Sequence, residues 1–238
     1  MQCQIELGYP SFEAIIGDYY DDGVAYITCS AGHKTAHLVQ SSKFEILLEA
    51  GANALLEGFT FEACASFSAS LERFYEFALR VVCVARDIPS ELYTQMFTGM
   101  AKQSERQLGA FMLLCAFEFG EAYRPDKQPL KEIIEDRNAV IHQGVIPTLE
   151  VANKFASDVY GVICQLYRKL HAKHAAHMMA VTMQSLGERR ERANVPNGMR
   201  VATNSGTMFF NNAKGDAEPD FAKALDAFRI GRRIMRLR

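Results

Sequence analysis

The 238 residues lack the short signatures that mark many enzymes: there is no G-x-x-x-x-G-K, no G-x-G-x-x-G after a strand-like run and no G-x-S-x-G. A P-loop, a dinucleotide-binding turn and a nucleophile elbow are therefore excluded, and no cofactor is expected. No apolar run approaches the ~20 residues that a membrane-spanning helix needs, so no membrane partner is expected either. The opening Met1-Gln2-Cys3-Gln4-Ile5-Glu6 has neither a basic head nor an apolar stretch, and no secretory leader is expected. The six cysteines, at positions 3, 29, 64, 83, 115 and 164, form no C-x-x-C pair. They read as free thiols of a cytoplasmic protein, four of them within helical segments. There is no internal repeat.

What is present is a globular composition. An apolar fraction of 49% supplies a sizeable core, in one large domain or one domain with appendages. The net charge of −2 hides an asymmetry. Residues 171–238 hold 12 Lys and Arg against 6 Asp and Glu, a net +6, while the first 170 hold 14 against 22, a net −8. A basic C-terminal part on an acidic body suits contact with nucleic acid or a self-association surface, and equally a solvated face.

Periodicity divides the chain into four parts. Residues 1–40 read as a small antiparallel sheet: Gln2–Leu7 alternates, Gly23–Cys29 is rich in Val, Tyr, Ile and Thr, and Thr35–Gln40 forms a third short run. Within it Cys29, His33 and His37 are spaced C-x3-H-x3-H, with Cys3 on a neighbouring strand. Zinc accepts those ligand types, but paired cysteines are missing. No metal is assigned, the four residues stay candidates only, and the alternative is a turn with exposed histidines.

Residues 41–186 carry long apolar stripes at helical spacing, such as Cys64, Phe67, Leu71, Phe74, Ala78 and Val81, and later Leu149, Ala152, Phe155, Val159, Val162, Leu166 and Leu170. Capping-box patterns at Ser42–Glu45 and Ser104–Gln107 open two of the helices. His171, His174 and His177 continue the last one and read as a solvated face. Residues 187–217 show no sustained period and read as a linker or flexible loop. Residues 218–238 read as a final basic helix, with Phe221, Leu225, Phe228 and Met235 on one side. Its late cluster of Arg229, Arg232, Arg233 and Arg236 makes these the candidate RNA contacts. The fold class is mainly α: an up-and-down helical bundle with a small N-terminal antiparallel β appendage.

The chemically capable stretch is Glu135-Asp136-Arg137-Asn138-Ala139-Val140-Ile141-His142-Gln143-Gly144. Arg137 is always charged and can fork onto a phosphate. His142 can give or take a proton near neutral pH. Asn138 lies four residues before His142, on the same helix face. Arg137 and His142 are about 140° apart at ~3.6 residues per turn, a gap the long arginine partly bridges. Glu135 or Asp136 is expected to hold Arg137 or to set the histidine tautomer. The same residues also fit an ordinary helix end, with Gly144 as cap and a cation near the negative pole of the dipole.

Arg137-Asn138, three residues, His142 and then Gly144 resemble the Arg-x4-6-His motif of the HEPN superfamily (higher eukaryotes and prokaryotes nucleotide-binding), in which a polar residue commonly follows the arginine. The resemblance covers roughly residues 43–170. It implies a helical bundle that dimerises to face two motifs across a composite cleft. It also implies a metal-independent endoribonuclease with Arg137, His142 and Asn138 as its catalytic residues and RNA as substrate. Such proteins often serve as toxins or in defence against phage, with an antitoxin or effector as partner. Other members of the superfamily are non-catalytic modules that pair with nucleotidyltransferases or other proteins, and that is the competing expectation.

Overall fold

The computed structural model describes residues 2–9, 19–193, 195–196, 199–204, 207–210 and 219–236. The fold is mainly helical with a small three-stranded sheet. In chain order the elements are α1 (Gln2–Leu7), β1 (Val24–Thr28), β2 (Lys34–Val39), α2 (Lys43–Leu56), α3 (Thr60–Ala85), α4 (Ser90–Thr98), α5 (Ser104–Phe119), α6 (Leu130–Gln143), α7 (Leu149–Arg192), β3 (Arg200–Asn204) and α8 (Phe221–Arg236). They group into two compact units. One comprises residues 42–181 and 207–229, the other residues 1–41, 182–206 and 230–238. Both units are assembled from separated stretches of chain.

The helical unit is organised around α2 and α3. Ser42 donates its backbone N–H to the Glu45 carboxylate at 2.6 Å, the capping arrangement expected from the sequence. Gly51 lets the two helices close together, because a Cβ there would sit 2.8 Å from the ring of Phe67. Phe44 is 1% exposed and meets Phe74 and Phe210 edge-on, with ring centroids 5.2 and 5.3 Å away. The expected stripe of α3 is buried in this same core, as is that of α7 from Ala152 to Leu170, whereas Leu149 is exposed. So are Phe221, Ala224, Leu225 and Phe228 of α8, which docks its apolar side on its own bundle.

Residues 187–217, expected as a linker, contain two ordered features. Phe209 and Phe210 are fully buried in the helical core, and the backbone N–H groups of Met208 and Phe209 donate to the Glu49 carboxylate at 2.5 and 3.1 Å. Two adjacent aromatic residues carry no period, so periodicity alone misses them. The second feature is β3.

The sheet has the order β1-β2-β3. β1 and β2 form an antiparallel hairpin with Val24 opposite Leu38, as expected, but β3 adds to β2 in parallel with Thr35 opposite Arg200. The third strand thus comes from Arg200–Asn204 rather than from Gln2–Leu7, which is the short helix α1. Six residues cannot separate a period of two from one of 3.6, and Gln, Glu and Leu favour helix. Val24, Ala36 and Leu38 form a second small core against Leu186, Ala193, Val195 and Met199. Arg189 donates to the carbonyls of Val39 and Ser41, and its side chain lies so close to Gly23 that a Cβ there would be 2.6 Å from Cδ. Gly23 also has φ +74°, so glycine is required twice over.

Candidate functional site

The motif stretch forms most of α6. Leu130, Ile133 and Val140 are buried and fix its inner side. Gly144 ends the helix at φ +70°, with its N–H on the Val140 carbonyl and the Val145 N–H on that of Ala139, a left-handed cap of the expected kind. Ile141 is 39% exposed beside His142.

Arg137 is the hub. Its Nη1 donates to Asn138 Oδ1 at 3.0 Å and to His142 Nε2 at 2.9 Å. Its Nη2 donates to Glu72 Oε1 of α3 and to the Ser104 hydroxyl of α5, each at 3.1 Å. The arginine therefore spans the angular gap to His142, and all three predicted catalytic residues meet at one helix end. A guanidinium has no acceptor. In the hydrogen bond to His142, Nε2 is therefore the acceptor. The Arg137 side chain is 19% exposed, which shields its ion pair from solvent in part, whereas His142 is open to solvent.

The two predicted supporting acids are elsewhere. Glu135 is exposed and faces Lys131 at 3.9 Å. Asp136 is half-buried, and burial pushes its carboxyl above the usual range, against the pull of Lys154. Among the described residues the carboxylate that pairs with Arg137 is Glu72, and the hydroxyl is that of Ser104. Ser104 had read as a capping residue, but its oxygen accepts from Arg137. The only sequence signal for Glu72 is that it lies off the apolar stripe of α3. A partner 65 positions away in sequence leaves no local pattern.

A cleft of about 200 Å³ opens beside this cluster. Arg137 and Asn138 line it together with Glu72, Ser104 and Glu105, above an apolar floor that includes Tyr123. Tyr123 and Tyr75 share a hydrogen bond of 2.9 Å between their hydroxyls. Burial keeps both phenols protonated far above their usual range. His142 stands outside this lining, at the open end of α6.

Comparison with known protein families, curated proteins and solved structures finds no match for this chain. The site has to be read from its own geometry.

The candidate RNA contacts on α8 differ among themselves. Arg229 pairs with Asp226 at 3.0 Å, Arg232 is half-buried and Arg233 is exposed, while the side chain of Arg236 lies outside the described residues. The histidines of α7 also differ from a uniformly solvated face. His171 is exposed and stacks on Tyr167, but His174 is buried at a kink in the helix and its Nε2 donates to Glu118 at 3.1 Å. Cys3, Cys29 and His33 come together, whereas His37 points away along β2, where burial lowers its affinity for a proton.

Proposed function

We propose that this chain is a metal-independent endoribonuclease of the HEPN kind, working as a homodimer. The observation that carries the reading is the 2.9 Å contact between Arg137 Nη1 and His142 Nε2 at an exposed helix end. RNA brings its own nucleophile, the 2′-OH next to each phosphodiester. An incoming phosphate competes for Arg137, whose guanidinium turns from His142 to the non-bridging oxygens and binds them more tightly as charge builds on phosphorus. His142 Nε2 is thereby released and accepts the 2′-OH proton. The 2′-oxygen forms a bond to phosphorus, the bond to the 5′-oxygen breaks, and that oxygen takes a proton from the second protomer's imidazole or from water. The products are a 2′,3′-cyclic phosphate and a 5′-hydroxyl. Asn138 holds Arg137 in place, and Glu72 and Ser104 brace it from behind.

Dimerisation is supported by apolar residues beside the motif. Ile141, Val145, Ile146, Leu149 and Val151 are 39, 45, 78, 54 and 42% exposed, a run next to His142 that a second copy would cover. The basic residues of the C-terminal part, Arg229 among them, are the candidates for holding the RNA backbone. A role as a toxin or phage-defence effector, with an antitoxin as partner, follows by resemblance to the superfamily.

One observation favours the second reading, a non-catalytic module that binds a nucleotidyltransferase or another protein. The donors of Arg137 are already engaged within the chain, and the adjoining cleft presents the carboxylates of Glu72 and Glu105, which repel phosphate. The deciding experiment incubates purified protein with labelled RNA in the presence of chelator and assays for cyclic-phosphate ends. His142→Ala and Arg137→Ala are each expected to lower cleavage by about 10²-fold or more with the fold intact by circular dichroism. Equal trace cleavage by wild type and both variants would mark a contaminant and leave the binding module.

A further inference from the structure

The cluster outside this site with the most defined chemistry lies at the β1–β2 turn. Cys29 directly follows β1 and His33 directly precedes β2. Cys29 donates its N–H to the His33 carbonyl at 3.1 Å, and Gly32 donates to the Cys29 carbonyl at 2.8 Å. Gly32 takes φ +81°, which a side chain would oppose, and the resulting tight turn brings Cys29 Sγ to 3.5 Å from His33 Nδ1. Cys3, on α1, completes a triangle, with its Sγ 3.8 Å from that of Cys29 and 3.2 Å from His33 Nδ1. The other ring nitrogen of His33 meets Glu6 at 2.7 Å.

We propose that Cys3 Sγ, Cys29 Sγ and His33 Nδ1 bind one zinc ion, with Glu6 orienting the histidine from outside the coordination shell. A tetrahedral zinc with bonds of about 2.3 Å to sulfur and about 2.0 Å to nitrogen has S···S edges of about 3.8 Å and S···N edges of about 3.5 Å. The three observed separations fall at or just inside those edges. The carboxylate on Nε2 keeps a proton there and leaves the Nδ1 lone pair for the metal, the usual outer partner of a metal-bound imidazole.

The metal would also explain α1. A six-residue helix is too short to hold itself, Ile5 is 66% exposed, and Cys3 at 6% is the buried side chain that ties it to the hairpin. Two thiol protons leave on binding, so uptake weakens as pH falls. Among the described residues three donors converge; the fourth position is filled by water or by a donor from beyond them.

The test is metal analysis of the full chain purified under reducing conditions, with cobalt(II) titration as the spectroscopic probe. About one zinc per chain is expected, and bound cobalt should show thiolate charge-transfer together with tetrahedral d–d bands. Cys3→Ser and Cys29→Ser should lose these bands while far-ultraviolet circular dichroism, dominated by the helices, stays unchanged. His37→Ala should keep them, and Glu6→Gln should bind about tenfold more weakly or worse. The proposal is overturned if the wild-type chain takes up no cobalt with sulfur charge-transfer, if Cys3 and Cys29 prove to be joined as a disulfide, or if His37→Ala abolishes binding as fully as Cys29→Ser does.

Discussion

Glu118 lies near the end of α5 with its side chain 2% exposed, and two cationic side chains, Arg86 and Lys173, converge on it together with His174. Arg86 donates to Oε1 through Nη2 at 2.6 Å and Nε at 3.1 Å, while Lys173 and His174 take Oε2 at 2.9 and 3.1 Å. Burial pushes the carboxyl up, but the bonds from Lys173, Arg86 and His174 outweigh it and bring it from 4.5 down to about 2. A depressed folded-state value means that the unfolded chain takes up protons first. The stabilisation is complete above about pH 4.5 and disappears as the pH falls towards about 2. Glu118→Gln should flatten that acid limb of the stability profile in urea titrations and cost about 2 kcal/mol at neutral pH. An unchanged acid limb would mean the carboxylate is not held as described. Arg137 follows a similar rule, a half-buried group with partners from several helices. Its near partners, Asn138 and His142, were legible because helical spacing places them. Glu72 and Ser104 were not, since they reach the site through tertiary packing of α3 and α5 against α6.

At the level of whole elements, legibility tracks the length of the apolar period. The stripes of α3, α7 and α8 were plain because each repeats over several turns and most of their members are buried. α1 and β3, at six and five residues, carry too few repeats to fix their type. The Phe209–Phe210 anchor carries none, although Phe210 packs against both Phe44 and Tyr167 at ring-centroid distances of 5.3 and 5.2 Å. Phe210→Ala should therefore destabilise the helical unit by about 3–5 kcal/mol, the range for emptying a buried aromatic site. Denaturant unfolding followed at 222 nm, where helix dominates the signal, reads this directly. A loss below about 1 kcal/mol would show that residues 207–210 are not part of the cooperative unit.

For the molecule as a whole, the proposed ribonuclease function turns on whether two copies meet at α6. Ile146 is the most exposed apolar residue beside the motif, at 78%. Ile146→Lys should thus leave the fold of one subunit unharmed, within about 0.5 kcal/mol. The same change should split the dimer in sedimentation or light-scattering measurements and remove RNA cleavage with it. A wild-type chain that stays monomeric at the concentrations of the cleavage assay would rule out a composite site. The charge asymmetry read from the sequence is real but divided, because the arginines of α8 fall in both compact units.

The pairing of β2 with β3 joins residues 165 positions apart, Thr35 with Arg200. While the chain is being synthesised, one side of β2 must therefore wait, with its amides and carbonyls unmatched, until β3 has left the ribosome. Exposed strand borders of this sort recruit other strands. A polypeptide halted after α7 would lack β3 as well as α8 and the Phe209–Phe210 anchor of the bundle, so its open β2 edge would be prone to pair with strands of other chains.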